Sequence, residues 1–395
     1  MRQPALKKSG NRFERYPKTV LVCVFVVFFF FLELGVRIFN RITSPPEATL
    51  SYKEKHFRNR WISIDNVPNN TFIHPPSHFD SFKPVVNNIN SMGIRGPEIA
   101  KKNRYRILNV GDSFVEADNV EWEKTFSELL NRHFSKKMEF IAHGIGGWAP
   151  TIEFSWIYHK GMKLYPDEVN LFLCLNDFYR SEVSIKVDQT SRIEANYKDG
   201  IPVEYEIGRY DGPPNIKRTL VVEILNHVTF LRPVYNLYHT LKLKLLATLY
   251  GSSPSQGEEI VLLAQDPSKW SASLAKNVDE TIDVVLELNR YLKKHHVKLN
   301  VTMVPFPFAW ENECRYGKLP LGFDKSFAVS QDGIENYLQA KLKESGIPYI
   351  DLRRSFDRAK RENPDTLLYY PEDCHWNKDG HKIVFETLKL FHGRH

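Results

Sequence analysis

The stretch Tyr105-Arg106-Ile107-Leu108-Asn109-Val110-Gly111-Asp112-Ser113-Phe114 decides the fold. Tyr105–Val110 is a short apolar run that ends in Gly-Asp-Ser, the pattern of a buried strand closing in a tight turn. The pattern repeats downstream. Glu123–Phe134 has helical spacing through Phe126, Leu129 and Leu130, and Met138–Ala142 is a second strand. Thr151–Leu164 is a helix with Phe154, Ile157 and Tyr158 on one side, and Glu168–Leu175 is a third strand. Val278–Leu292 is an amphipathic helix, Val297–Val304 a fourth strand, Ile334–Leu342 a helix stopped by Gly346, and Ile347–Leu352 a fifth strand. Asn377–Phe391 is the closing helix. Short apolar strands alternating with helices predict an α/β domain over residues 104–395, its parallel five-stranded sheet covered on both faces.

Outside that alternation the chain reads differently. Val20–Leu32 carries no charge, and residues 19–39 are long enough to cross a bilayer as a helix. Glu33 and Arg37 are spaced to pair on one helix face. Residues 1–18 form a basic tail, which predicts a cytoplasmic N-terminus and an extracytoplasmic (periplasmic or extracellular) domain. A cleaved signal peptide has the same order of charge and apolarity, but no small-x-small site closely follows the run, so an uncleaved anchor is the expectation. Residues 40–103 are rich in Pro, Asn and Ser and read as a stalk and irregular lead-in. Residues 181–276 interrupt the alternation with a polar strand-like part, Ile193–Ile207, a Pro213-Pro214 turn and an apolar helical part, Thr219–Tyr250. A helical insertion packed on the domain is the expectation; a lid or a membrane-resting surface are the functional alternatives.

The formal charge of the chain is +7. Seven basic residues against Glu14 and Glu33 place five of those seven net charges in the first forty residues. The rest is close to neutral, which disfavours nucleic acid as a partner. Of the four cysteines, Cys23 lies in the apolar span and Cys174 in a strand-like run, so both are expected unpaired. Cys314 and Cys374 could pair in an oxidising compartment. No CxxC or other metal-ligand spacing occurs, and no metal is expected.

Serine needs a base, a group that orients the base, and donors for the oxyanion. Ser113 follows a strand end. Pro371-Glu372-Asp373-Cys374-His375-Trp376-Asn377 supplies His375 as base and Asp373 as its partner. The oxyanion donors would be the backbone N–H groups of Ser113 and Gly147 and the side-chain amide of Asn176. Gly147 lies in the run His143-Gly144-Ile145-Gly146-Gly147-Trp148, and Asn176 follows the third strand. His381 and the His295-His296 pair read as structural or solvated.

In order and spacing these blocks resemble the GDSL/SGNH hydrolase superfamily, in particular its membrane-anchored bacterial members. Gly111-Asp112-Ser113 matches the nucleophile block, Gly147 the second, Asn176 the third, and Asp373 with His375 the last. Lead-in segments similar to Gly93-Ile94-Arg95-Gly96-Pro97-Glu98 also occur in that group. The resemblance covers about residues 92–182 and 277–390. It implies a three-layer, flavodoxin-like domain, a serine acyl-enzyme, no cofactor, and an acylated glycan or lipid of the cell envelope as substrate. Two positions depart from the pattern. The usual Asp-x-x-His places its acid where Glu372 stands, which leaves Asp373 (preferred) and Glu372 as candidates. The Asn usual before the second glycine is Ala142. The Asp-x-His-Trp form is similar to polysaccharide O-acetylation proteins, so acyl transfer to a sugar hydroxyl is the alternative to hydrolysis. A non-catalytic glycan-binding protein on the same fold is the rival from another class.

Overall fold

The computed structural model describes residues 21, 23–25, 27–35, 55–59, 61–74, 84–178, 184–186, 191–209, 262–305, 307, 310, 332–371 and 374–394. The chain divides into two compact units, residues 1–47 with 211–253, and residues 48–210 with 254–395. In the first unit the described residues 21, 23–25 and 27–35 are helical. Among the described residues no helix is long and apolar enough to cross a membrane. The remainder of the 19–39 span and the Thr219–Tyr250 segment lie outside the described residues.

The second unit is built on five parallel strands, β5 (Tyr105–Gly111), β6 (Met138–Gly144), β7 (Glu168–Leu173), β11 (Lys298–Met303) and β12 (Tyr349–Ile350). Their spatial order is β12-β11-β7-β5-β6, with every neighbouring pair parallel. The order reverses between β5 and β7, and this switch point is where open α/β sheets place their ligands. Side chains alternate across the sheet. Leu108, Val110, Val169, Leu171 and Val301 pack on one side with α3 (Pro150–His159), α4 (Ala272–Lys294) and α5 (Asp332–Glu344). Ile107 and Phe172 pack on the other side with α2 (Phe126–His133), α6 (Leu352–Glu362) and α7 (Lys378–His392). This makes three layers with two cores. Helix α6 has no counterpart in the sequence reading, because Leu352 and Phe356 are its only buried apolar side chains and most of the rest is charged.

One polar feature crosses the second core. Asn109 on β5, Asn170 on β7 and Asn300 on β11 are buried side by side in register. Asn300 Nδ2 donates to Asn170 Oδ1 at 2.9 Å, and Asn170 Nδ2 donates to Asn109 Oδ1 at 2.8 Å. Asn109 Nδ2 continues to Ser127 Oγ on α2 at 3.2 Å. A one-residue slip would send these amides into the opposite, apolar core, so the ladder helps fix strand register.

The lead-in, read from sequence as irregular, contains two antiparallel pairs: β1 (His56–Asn59) with β2 (Ser63–Asn66), and β3 (Asn70–His74) with β4 (Val85–Ile89). These strands are four or five residues long and their apolar side chains do not alternate regularly, so periodicity does not reveal them. Within 181–276, β8 (Ser184–Lys186), β9 (Ser191–Lys198) and β10 (Ile201–Arg209) form a separate antiparallel sheet in the order β10-β9-β8.

Candidate active site

The end of β5 delivers Ser113 to the switch point. Gly111 closes the strand, Asp112 is the N-cap, and Ser113 is the first residue of a one-turn helix, α1 (Ser113–Glu116). Asp112 Oδ1 accepts the Phe114 N–H at 3.0 Å, which satisfies one of the free donors of that turn. The next strand must pass close by. A Cβ on Gly144 of β6 would collide with the Gly111 and Asp112 carbonyls, so only glycine fits there.

His375 reaches the same point from the other end of the chain. Its loop is a tight reversal: the Cys374 N–H donates to the Tyr370 carbonyl and the Tyr370 N–H to the His375 carbonyl, both at 2.8 Å. Asn377 then caps α7, its Oδ1 accepting the Asp379 and Gly380 N–H groups at 2.8 and 3.0 Å. The result is His375 Nε2 at 2.7 Å from Ser113 Oγ, the geometry in which an imidazole takes a hydroxyl proton. The Phe114 ring lies 4.9 Å from the imidazole and 4.9 Å from Trp376, so the residue after the serine packs against the base. Asp373 and Glu372 lie outside the described residues, as does Cys314; Cys374 is disulfide-bonded.

Asn176 sits in a single 3-10 turn, Leu175–Asp177, directly after β7. Its Nδ2 donates to Asp112 Oδ2 at 3.4 Å, and its Oδ1 is buried without a hydrogen-bond partner. Burial pushes the Asp112 carboxyl up, against the opposing pull of the Phe114 N–H and of His375. Burial likewise pushes the neighbouring Cys174 thiol well up, which leaves it a poor nucleophile.

Gly146 and Gly147 are the exposed centre of a turn closed by the Trp148 N–H on the Ile145 carbonyl at 3.0 Å. Gly147 has φ +84°, the value required at the third position of a type II turn. A Cβ on Gly146 would lie 3.7 Å from Ser113 Cβ, so this turn borders the serine. The Gly146 N–H donates to Glu116 Oε2 at 2.8 Å. Glu116 is buried on α1, three residues after Ser113, and the sequence reading did not single it out.

The Gly93–Glu98 lead-in has a specific task. The buried Arg95 guanidinium donates to the carbonyls of Ala117 at 2.5 Å and Val120 at 2.6 Å. It thereby secures the chain where α1 ends in the left-handed Ala117, φ 50°. Burial lowers the Arg95 pKa to about 10, so it stays charged at neutral pH. His381 is structural, as its position suggested. It is buried, stacks on Phe126 at 5.7 Å, and burial lowers its pKa to about 3.

Residues 257–389 match the family model ALGX, described as the SGNH hydrolase-like domain of acetyltransferase AlgX. The matched region includes His375 and most of α7. No curated protein matches the chain. Among solved structures, the acetyl xylan esterase AlAXEase is 13% identical, covers 72% of this chain and 98% of its own, and has a TM-score of 0.40. A catalytic mutant of Axe2, an acetylxylan esterase from Geobacillus stearothermophilus, is 10% identical, with 74% and 95% covered and a TM-score of 0.38. A member of the lipolytic G-D-S-L family from Veillonella parvula is 11% identical, with 73% and 98% covered and a TM-score of 0.36. The chain resembles the GDSL/SGNH superfamily, and its residues 257–389 are similar to the SGNH hydrolase-like domain of an acetyltransferase.

Proposed function

We propose that the protein is a serine esterase that removes O-acyl groups, acetyl in particular, from a cell-envelope glycan or lipid. Ser113 Oγ attacks the ester carbonyl while His375 Nε2 takes its proton. The oxyanion is received by the N–H groups of Ser113 and Gly147 and by the Asn176 amide, which would turn from Asp112 toward the substrate. Collapse expels the sugar or lipid alkoxide, which leaves with the proton held by His375, and an acyl-Ser113 ester remains. Water, deprotonated by His375, then releases the acid and frees Ser113. Asp373, with Glu372 as the alternative, orients the imidazole. Residues 19–39 anchor the chain with its N-terminus in the cytoplasm and the domain outside. The observation that carries the reading is the 2.7 Å approach of His375 Nε2 to Ser113 Oγ.

A second reading is favoured by the family match, whose description names an acetyltransferase. In it the acyl-Ser113 ester is attacked by a sugar hydroxyl instead of water, with the same residues in the same roles. The test uses the full chain in detergent, wild type and Ser113→Ala, with a short-chain aryl acetate, following aryl alcohol release and protein mass. Turnover that requires Ser113 supports the esterase. A stable acetyl adduct on Ser113 with little turnover, discharged by an added oligosaccharide, supports the transferase. Equal reactivity of wild type and Ser113→Ala would refute both.

A further inference from the structure

Glu116 raises an electrostatic problem that its surroundings answer. Its Oε2 accepts the Gly146 N–H, and the site a Gly146 Cβ would occupy is 3.6 Å from Oε2 and 3.7 Å from Ser113 Cβ. A buried carboxylate so close to the serine opposes the negative charge that develops on the substrate oxygen. It is also the acceptor that holds the glycine turn. The lead-in supplies the counter-charge. Lys55 Nζ lies 2.6 Å from Glu116 Oε1 and 2.6 Å from Asp118, and His56 Nε2 lies 3.8 Å from Glu116 Oε1. Burial alone would raise the Glu116 pKa, yet Lys55 and His56 bring it down to about 2, so the carboxylate is ionised at any working pH. The Lys55 pKa rises, because Glu116 and Asp118 outweigh its own burial.

We infer that Glu116 and Lys55 act as a neutralised clamp that positions the oxyanion turn, which makes the lead-in at β1 part of the active site. Glu116 fixes the Gly146 N–H, and the turn then presents the Gly147 N–H toward the ester carbonyl. Lys55 keeps the clamp from repelling the oxyanion. Neither residue touches substrate; both are positioning residues. The inference rests on the acyl-enzyme reading of Ser113, and it goes further by assigning a role to a segment 58 positions before the serine.

The test measures the rate of Ser113 acylation by an aryl acetate in the full chain, for wild type, Lys55→Met, Glu116→Gln, Glu116→Ala and the double variant Lys55→Met/Glu116→Gln. Ser113→Ala is the control for the underlying reading: if it matches wild type, the acyl-enzyme scheme fails before the clamp is judged. Lys55→Met is expected to slow acylation about tenfold or more by leaving a bare carboxylate. Adding Glu116→Gln to it should restore most of the rate, since the amide oxygen still accepts the Gly146 N–H without the charge. The ratio of Lys55→Met to wild type should rise toward one as pH falls, because without Lys55 burial raises the Glu116 pKa and the carboxyl of the variant takes up a proton. Glu116→Ala, which removes the acceptor, should lose more than Glu116→Gln. A double variant no faster than Lys55→Met, or a pH-independent ratio, would overturn the inference. Should Lys55→Met fail to fold, equal losses in Glu116→Ala and Glu116→Gln would overturn it equally well.

Discussion

His375 Nε2 and Ser113 Oγ meet at 2.7 Å across 262 positions of sequence. The serine comes from the strand-to-helix junction after β5 and the histidine from the loop before α7. The two junctions are capped by the side chains of Asp112 and Asn377, so Ser113 and His375 are presented by fixed backbone.

If this pair forms the acyl-enzyme, Ser113→Ala and His375→Ala should each lower Ser113-dependent turnover by roughly 10⁴–10⁶, and the double variant should be little worse, because such residues act as a unit. Steady-state rates with an aryl acetate, measured beside the melting temperature, check this. Losses that multiply in the double variant would mean that the two act independently.

Asn176→Ala should reduce kcat by about 10²–10³ with little change in KM if its amide meets the oxyanion only in the transition state. The resting contact to Asp112 is long, at 3.4 Å, so it offers little resistance to that reorientation. A change confined to KM would instead place Asn176 in substrate binding.

Arg95→Lys should destabilise the domain by about 1.5–3 kcal/mol, since a single ammonium cannot reproduce the fork that holds the Ala117 and Val120 carbonyls. Urea unfolding gives the difference. A stability equal to wild type would mean that water replaces the guanidinium without cost.

His381 imposes a pH dependence with a definite sign. Its folded pKa, about 3, lies below the ordinary value of 6.5, so the unfolded chain takes up the proton first. The associated stability is complete above pH 6.5 and falls as pH drops from there toward 3, by up to about 1.4 kcal/mol per pH unit. His381→Gln, which cannot titrate, should show a flatter decline in melting temperature between pH 6 and 4. An unchanged slope would shift the acid sensitivity to other groups.

Several features were legible before any coordinates. Tyr105–Val110, Met138–Ala142, Glu168–Leu175 and Val297–Val304 each contain or overlap an observed sheet strand, because a strand buried on both faces must be apolar along most of its length. Helix α6 leaves no periodic signal because only two apolar side chains are buried, and β1–β4 leave none because they are short and their apolar residues do not alternate. Ser113, Gly147, Asn176 and His375 were named from motif order, and the fold carries Ser113, Asn176 and His375 to neighbouring positions at the strand ends. Glu116 carried no sequence signal, since a lone acid three residues after a serine looks like any helix residue.

The sequence by itself determined the strands of the main sheet, that this sheet is parallel, and the junctions that carry Ser113 and His375. Apolar periodicity and turn chemistry are local properties, written over a few consecutive residues. Only the tertiary structure decided that Lys55 neutralises Glu116, that Glu116 grips the Gly146 N–H, and that Asn109, Asn170 and Asn300 join in one ladder. Those contacts depend on strand register and side-chain direction across distant segments, and no local pattern encodes them.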